Sequence, residues 1–128
     1  MNLTANPKTA QEKEILDLFE KHLAAFNAGD LDAVLSDFGE QSVVITPGGV
    51  FEGKDQIRGF YQELIAEFGV IDRGDSPGLI FDVLLLRHNM LFIVWHGESK
   101  LRKYQFASDT FICNGGKIER QSICFMFS

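Results

Sequence analysis

Long apolar runs are missing from this chain of 128 residues. No stretch approaches the roughly 20 residues that a bilayer-spanning helix needs. The opening Met1-Asn2-Leu3-Thr4 has no charged segment followed by an apolar one, so no secretory leader and no membrane partner are expected. Positive charge is in deficit. Twelve Lys and Arg stand against 18 Asp and Glu, giving a formal charge of −6 and a pI near 4.9. No basic cluster offsets this balance, which argues against a nucleic-acid partner. Cysteine is scarce as well: two residues, Cys113 and Cys124, with no leader, suggest free thiols in a cytoplasmic location. The chain also lacks a phosphate-binding loop, a G-x-S-x-G elbow and a dinucleotide fingerprint. A metal site needs three or more ligands at suitable spacing, and His22, His96 and Asp109 make only a marginal trio. No cofactor and no metal are expected.

What is present divides into a helical half and a sheet half, with no repeat, linker or low-complexity tract between them, so residues 1–128 read as one domain. Thr9 and Glu12 have capping-box spacing. Ile15, Leu16, Phe19, Leu23 and Phe26 then repeat at helical period, and Gly29 ends the helix. Asp30 caps a second helix from Leu31 to Phe38. Val43-Val44-Ile45 is a β-branched strand stopped by Pro47-Gly48-Gly49, and Phe51 begins a brief return. A third helix follows Gly53, with Ile57, Phe60, Tyr61, Leu64, Ile65 and Phe68 on its apolar stripe, and Gly69 closes it. Past the Asp-, Gly- and Pro-rich loop at 72–78, the segments Leu79–Arg87, Leu91–Ser99, Tyr104–Cys113 and Lys117–Phe127 read as four strands joined by short turns. Helices first and a meander last is an α+β pattern with helices covering one sheet face.

The run from Gln105 to Phe125 is the most informative. It places one carboxylate, Asp109, mid-strand among apolar side chains. A charge buried there without partners costs several kcal/mol, so Asp109 either faces water or is compensated, and a compensated buried carboxylate is the usual start of a site. A two-residue loop at Asn114-Gly115 would pair Asp109 with Arg120. A three-residue loop, Asn114-Gly115-Gly116, would pair it with Gln121 and Ala107 with Ile123, and is preferred because a glycine takes the left-handed position. That register puts Ala107, Asp109, Phe111, Gln121, Ile123 and Phe125 on one face. Phe106, Ile112, Ile118, Cys124 and Met126 fall on the other, Cys113 lies opposite Lys117 and Cys124 opposite Phe106, and a disulfide is not expected.

Three stretches carry a family resemblance: Ala24-Ala25-Phe26-Asn27-Ala28-Gly29-Asp30-Leu31-Asp32, Phe51-Glu52-Gly53-Lys54-Asp55-Gln56-Ile57-Arg58, and Asp109-Thr110-Phe111 with Gly116-Lys117-Ile118. With them the chain resembles the SnoaL-like branch of the nuclear transport factor 2-like superfamily over nearly its whole length. The resemblance implies a cone-shaped roll of three N-terminal helices packed on a curved, mainly antiparallel sheet. It does not imply one activity, because the superfamily holds isomerases, cyclases, dehydratases, epoxide hydrolases and non-catalytic association domains. Aligned on Asn27-Ala28-Gly29-Asp30, the oxyanion tyrosine of the ketosteroid isomerase relatives falls on His22, their protonated aspartate on Asp109 and a supporting tyrosine on Tyr61. Their catalytic carboxylate base falls on Thr46, whose hydroxyl is no base at neutral pH, so that isomerase activity is not expected.

The positions so matched set an expected pocket of His22, Phe26, Thr46, Phe60, Tyr61, Phe92, Val94, His96, Asp109 and Gln121. Asp109 and a histidine, His22 or His96, are the candidate acid–base groups, and a coupled His22–Asp109 unit is preferred over an exposed aspartate. A plainer reading stands beside this one: Asp109 anchors a helix, His96 is a core or rim histidine, and the aromatic residues are core. His88, at a turn with Asn89, should be solvated. Two functions follow. One is a cofactor-independent lyase, isomerase or hydrolase acting on a small, largely apolar molecule; the other is a non-catalytic ligand-binding or association domain. Phe92, Val94 and His96 are expected inside, with Ile93 and Trp95 on the outer face beside Phe106 and Met126. A homodimer through that face is expected, since so large an apolar patch is rarely left exposed.

Overall fold

The computed structural model describes residues 6–128. Helix α1 spans Ala10–Asn27, α2 Leu31–Leu35 and α3 Gly53–Phe68. Strands β1 (Phe38–Thr46) and β2 (Gly49–Glu52) lie between α2 and α3, and a short 3-10 turn, Ile71–Arg73, precedes β3 (Gly78–Arg87), β4 (Met90–Glu98), β5 (Lys103–Asn114) and β6 (Lys117–Phe127). The six strands form one sheet in the order β2-β1-β6-β5-β4-β3, antiparallel except where β1 runs parallel to β6. The helices cover one face, and the core between them includes Phe19, Phe26, Phe38, Ile57, Tyr61, Phe68, Leu91, Ile93 and Phe111.

The helix signals act as expected, with one difference. The Thr9 side chain accepts from the Glu12 amide at 3.1 Å, but the Glu12 carboxylate does not close the box on Thr9. It accepts instead from the amides of Lys8, at 2.9 Å, and of His88, at 2.8 Å. Glu12 thereby ties the start of α1 to the β3–β4 turn, where His88 holds a left-handed φ of 54°. Asp30 caps α2 through the Ala33 amide. That helix stops at Leu35 rather than Phe38, because Phe38 opens β1 and pairs with Ile118.

The β5–β6 hairpin corrects both sequence registers. Its loop is Gly115-Gly116, each with positive φ, between the paired Asn114 and Lys117. A bulge then adds one residue on β6, so Asp109 pairs with Ile123, Phe111 with Gln121 and Ala107 with Phe125. This is two residues from the expected register, and a shift of two leaves every side chain past the bulge on its expected face. Ala107, Asp109, Phe111, Gln121 and Ile123 are indeed all buried. Ile118, on the loop side of the bulge, turns inward beside Cys113 instead of outward. Cys124 faces Ser108 on the outer side, not Phe106, and both cysteines are free thiols. No helix among the described residues is long and apolar enough to cross a membrane.

Strand β4 has the opposite phase to the expected one. Leu91, Ile93 and Trp95 point into the core, while Phe92, Val94 and His96 lie on the outer face. Both phases are apolar, so alternation carries no signal. Pairing with β5 decides it, since Ile93 sits opposite Asp109 and Trp95 opposite Ala107, and opposite residues share a face.

Candidate functional site

Between the helices and the inner sheet face lies a cavity of about 70 Å³. Its wall is aromatic and aliphatic, including Phe19, Phe26, Phe60, Phe68, Phe81, Ile93, Tyr104 and Phe111. A single line of polar groups interrupts that wall. The Asp109 carboxylate, buried on β5, accepts from Trp95 Nε1–H at 2.9 Å and from Gln121 Nε2–H at 3.0 Å. Trp95 and Gln121 stand on the two neighbouring strands, each one diagonal step from Asp109, a span that long side chains bridge. Tyr61 on α3 donates its hydroxyl proton to Gln121 Oε1 at 2.9 Å, and His22 Nε2 lies 3.2 Å from the same hydroxyl. His22 Nδ1 meets Asp37 Oδ2 at 3.0 Å, and Lys21 Nζ reaches Asp37 Oδ1 at 2.9 Å. Five buried side chains, from Asp37 through His22, Tyr61 and Gln121 to Asp109, thus form one continuous chain, with Trp95 closing its far end.

Each member has a local cause. Phe19, His22 and Phe26 share the inward stripe of α1 by their three- and four-residue spacing. Tyr61 lies on the inward face of α3 with Ile57 and Phe68. Asp37 falls at the junction of α2 and β1, fully buried, where the imidazole and the lysine supply its partners.

Of the residues expected at the pocket, His22, Phe26, Phe60, Tyr61, Asp109 and Gln121 line the cavity. Four are corrected. Phe92, Val94 and His96 lie on the opposite sheet face, where His96 Nδ1 meets Asp82 Oδ2 at 2.7 Å and both side chains are more than two-fifths exposed. Thr46 stands at the end of β1, where its hydroxyl accepts from the Gly48 amide to cap the turn, and it does not line the cavity. His22 and Asp109 do not touch; Tyr61 and Gln121 stand between them. Two participants escaped the sequence reading. Trp95 lies inside, not on the expected outer face. Asp37 lies past the end of α2 instead of within it, and its one signal in the sequence is a carboxylate directly before the strand-opening Phe38. Among the described residues, no three His, Cys, Asp or Glu side chains converge as metal ligands.

Residues 19–73 match the family model described as a SnoaL-like domain. Similar solved structures include a SnoaL-like protein of unknown function from Burkholderia thailandensis E264. It is 19% identical, covers 94% of this chain and 99% of its own, and has a TM-score of 0.69. A candidate ketosteroid isomerase from Kribbella flavida DSM 17836 is 13% identical, covering 91% of this chain and 80% of its own with a TM-score of 0.71. Residues 19–73 therefore resemble the SnoaL-like family, and the chain as a whole has the nuclear transport factor 2-like fold. That family includes isomerases and polyketide cyclases. A de novo designed protein with a curved β-sheet also shares the fold, at 15% identity, 89% and 86% coverage and a TM-score of 0.72. The fold therefore carries no activity by itself. No curated protein sequence matches the chain.

Within this fold the electrostatics single out Asp109. Burial pushes its carboxyl up to about 6, although the hydrogen bonds from Trp95 and Gln121 and the nearby His22 pull the other way. Asp37 goes in the opposite direction: burial works against its charge, but His22 and Lys21 more than offset this and hold it below the ordinary carboxylate value. Burial, followed by the Asp109 charge, pushes the Tyr61 phenol far up, so it stays protonated. One chain thus joins a carboxylate fixed as an anion to a carboxyl poised near neutrality.

Because the folded state raises the proton affinity of Asp109, the fold is favoured most where this carboxyl is protonated. That contribution is full below about pH 4 and is lost as pH rises through about 6. Asp109→Asn removes the titration. Its unfolding free energy relative to wild type should therefore improve by roughly 2 kcal/mol between pH 4 and pH 7, read from urea unfolding at each pH. A difference that stays flat with pH would contradict this burial of Asp109.

Proposed function

We propose that this protein binds a small, largely apolar molecule in the cavity and moves a proton on it, with Asp109 as the acid–base group. One observation supports the reading above all: a buried carboxyl poised near neutrality faces an apolar cavity and retains unused hydrogen-bonding capacity. Trp95 spends its only donor on Asp109, and both His22 nitrogens are engaged. Among the described residues, the second N–H of Gln121 and the remaining lone pairs of Asp109 have no protein partner. A ligand therefore meets one acceptor beside one donor. That suits a hydroxyl, or a carbonyl with an acidic C–H next to it, on an otherwise apolar body. Drug-sized ligands occupy roughly 300–1,000 Å³, so at about 70 Å³ the occupant is small or displaces the partly exposed rim of Leu23, Leu64 and Phe125.

Ionised Asp109 can take a proton from carbon next to a carbonyl, and its acid form can return that proton elsewhere on the same molecule, which is isomerase chemistry without a cofactor. His96 has no part in this, since it lies on the other face of the sheet. Small ketones in heavy water test the reading. Wild type should accelerate hydrogen–deuterium exchange at the α carbon of cyclohexanone or acetophenone, and Asp109→Asn should lose at least about a hundredfold of that rate. Trp95, the chain's one tryptophan, reports binding separately through its fluorescence. Binding without exchange would leave a ligand-binding protein, and neither would overturn the proposal.

The outer sheet face favours the accompanying proposal of a homodimer. Leu85, Phe92, Thr110, Ser122, Ile45 and Val50 form one uncharged row across all six strands, and Leu85, Ile45 and Val50 are 61%, 49% and 56% exposed. A second copy presents the same uncharged row and covers it without stranding a charge. Light scattering should give twice the 14.4 kDa chain mass, and Leu85→Lys should give the monomer. A monomer mass for wild type at micromolar concentration would overturn the dimer.

A further inference from the structure

The direction of each hydrogen bond in the buried chain is set by its neighbours. When Asp109 is ionised it can only accept, so Gln121 turns its amide N–H₂ towards it and its carbonyl towards Tyr61. Tyr61 must then give its single proton to Gln121, and its oxygen is left to accept from His22 Nε2–H. His22 Nδ1 also faces a carboxylate, that of Asp37, so both ring nitrogens donate and the imidazole is a cation. Reversing every bond gives a second arrangement in which each member of the chain is again paired with its neighbours. Protonated Asp109 donates to the Gln121 carbonyl, the flipped amide donates to Tyr61, and Tyr61 donates to a neutral His22 whose remaining proton stays on Nδ1 against Asp37.

These two arrangements hold the same number of protons, and the other two combinations do not close. With Asp109 ionised and His22 neutral, either the one phenolic proton faces two acceptors, Nε2 and the Gln121 oxygen, or, in the other tautomer, the bare Nδ1 faces the Asp37 carboxylate. With both groups protonated, either the Tyr61 proton or the Asp109 proton is left without an acceptor in the protein. We infer that His22 and Asp109 share a single proton, and that Tyr61 and Gln121 enforce this by allowing only one of the two to carry it.

The exchange makes and breaks no bond between heavy atoms. His22 releases one proton to water and Asp109 takes one up from water. The Tyr61 hydroxyl rotates and the Gln121 amide turns over; the amide itself passes no proton. Tyr61 and Gln121 are thus positioning residues, which govern the ionisation of a group they do not replace. At one and the same pH the cavity then offers a carboxylate to a ligand hydroxyl or a carboxylic acid to a ligand carbonyl. The charged and titratable neighbours of the pair are Asp37 with Lys21 beyond His22, and Tyr104 with its acceptor Glu67 at the far side of Trp95. All of them stay in place when Tyr61 is changed to Phe.

That variant separates directional coupling from attraction across space. The probes are the Asp109 carboxyl carbon and the His22 ring nitrogens, followed by NMR across the titration in the protein without ligand. In wild type the pair should titrate as a unit in two well-separated steps, both visible at each probe. In Tyr61→Phe the steps should draw together by about one pH unit, the tenfold change in proton affinity that one lost buried hydrogen bond amounts to. Gln121→Leu, which breaks the chain one link further on, should do the same and serves should Tyr61→Phe fail to fold. A single step at each wild-type probe would overturn the inference, as would an unchanged spacing in the variants. Neither result depends on turnover, so it can fail while the proposed function stands, and the reverse.

Discussion

The structure depends on how it accommodates one carboxylate, Asp109, in the middle of the central strand of an apolar sheet face. An unpaired charge there would cost more than the fold can spare. The compensation comes from both sides: Trp95 on β4 and Gln121 on β6 each donate to one carboxylate oxygen. Two donors and the nearby His22 do not fully replace water, which is why burial pushes the carboxyl up to about 6. The same arrangement extends demands outward. With Asp109 ionised, Gln121 needs a donor for its carbonyl and finds Tyr61, Tyr61 needs a donor for its oxygen and finds His22, and His22 needs a carboxylate and finds Asp37. A buried polar network is stabilising only when every member is satisfied, so one aspartate fixes side chains from two helices, three strands and the junction ahead of β1.

The aromatic packing around this line serves the same end. His22 meets Phe38, Tyr61 and Phe111 edge-on, and Trp95 packs beside Tyr104. These rings bury the polar side chains, so each hydrogen bond counts for more than it would at a surface.

Sequence reasoning reached the centre of this arrangement by a partly wrong route. Asp109 and Gln121 were placed on the buried face even though the hairpin register was two residues off, because a period of two forgives an even error. The helical stripe carrying Phe19 and Phe26 was legible from spacing alone, while His22 came only from the family resemblance. Strand β4 was not, because Leu91, Ile93 and Trp95 alternate with the equally apolar Phe92 and Val94, and only pairing with β5 sets the phase. The parallel pairing of β1 with β6 left no local trace. Asp37 was hidden for a related reason: a carboxylate beside a helix end usually reads as a solvated cap, and its burial depends on Lys21 and His22 arriving from another element.

The fold fixes the scaffold, and the side chains along the buried chain set the chemistry it can carry. What distinguishes this cavity is an acid–base group whose charge is tied through neutral intermediaries to a histidine it does not touch. Neutron diffraction from a deuterated crystal near neutral pH tests that claim most directly, because it shows deuterons where X-rays do not. The account predicts that deuteron occupancies at His22 Nε2 and on the Asp109 carboxyl sum to one, with the Gln121 amide oriented to match. Both positions filled, or both bare, would contradict it.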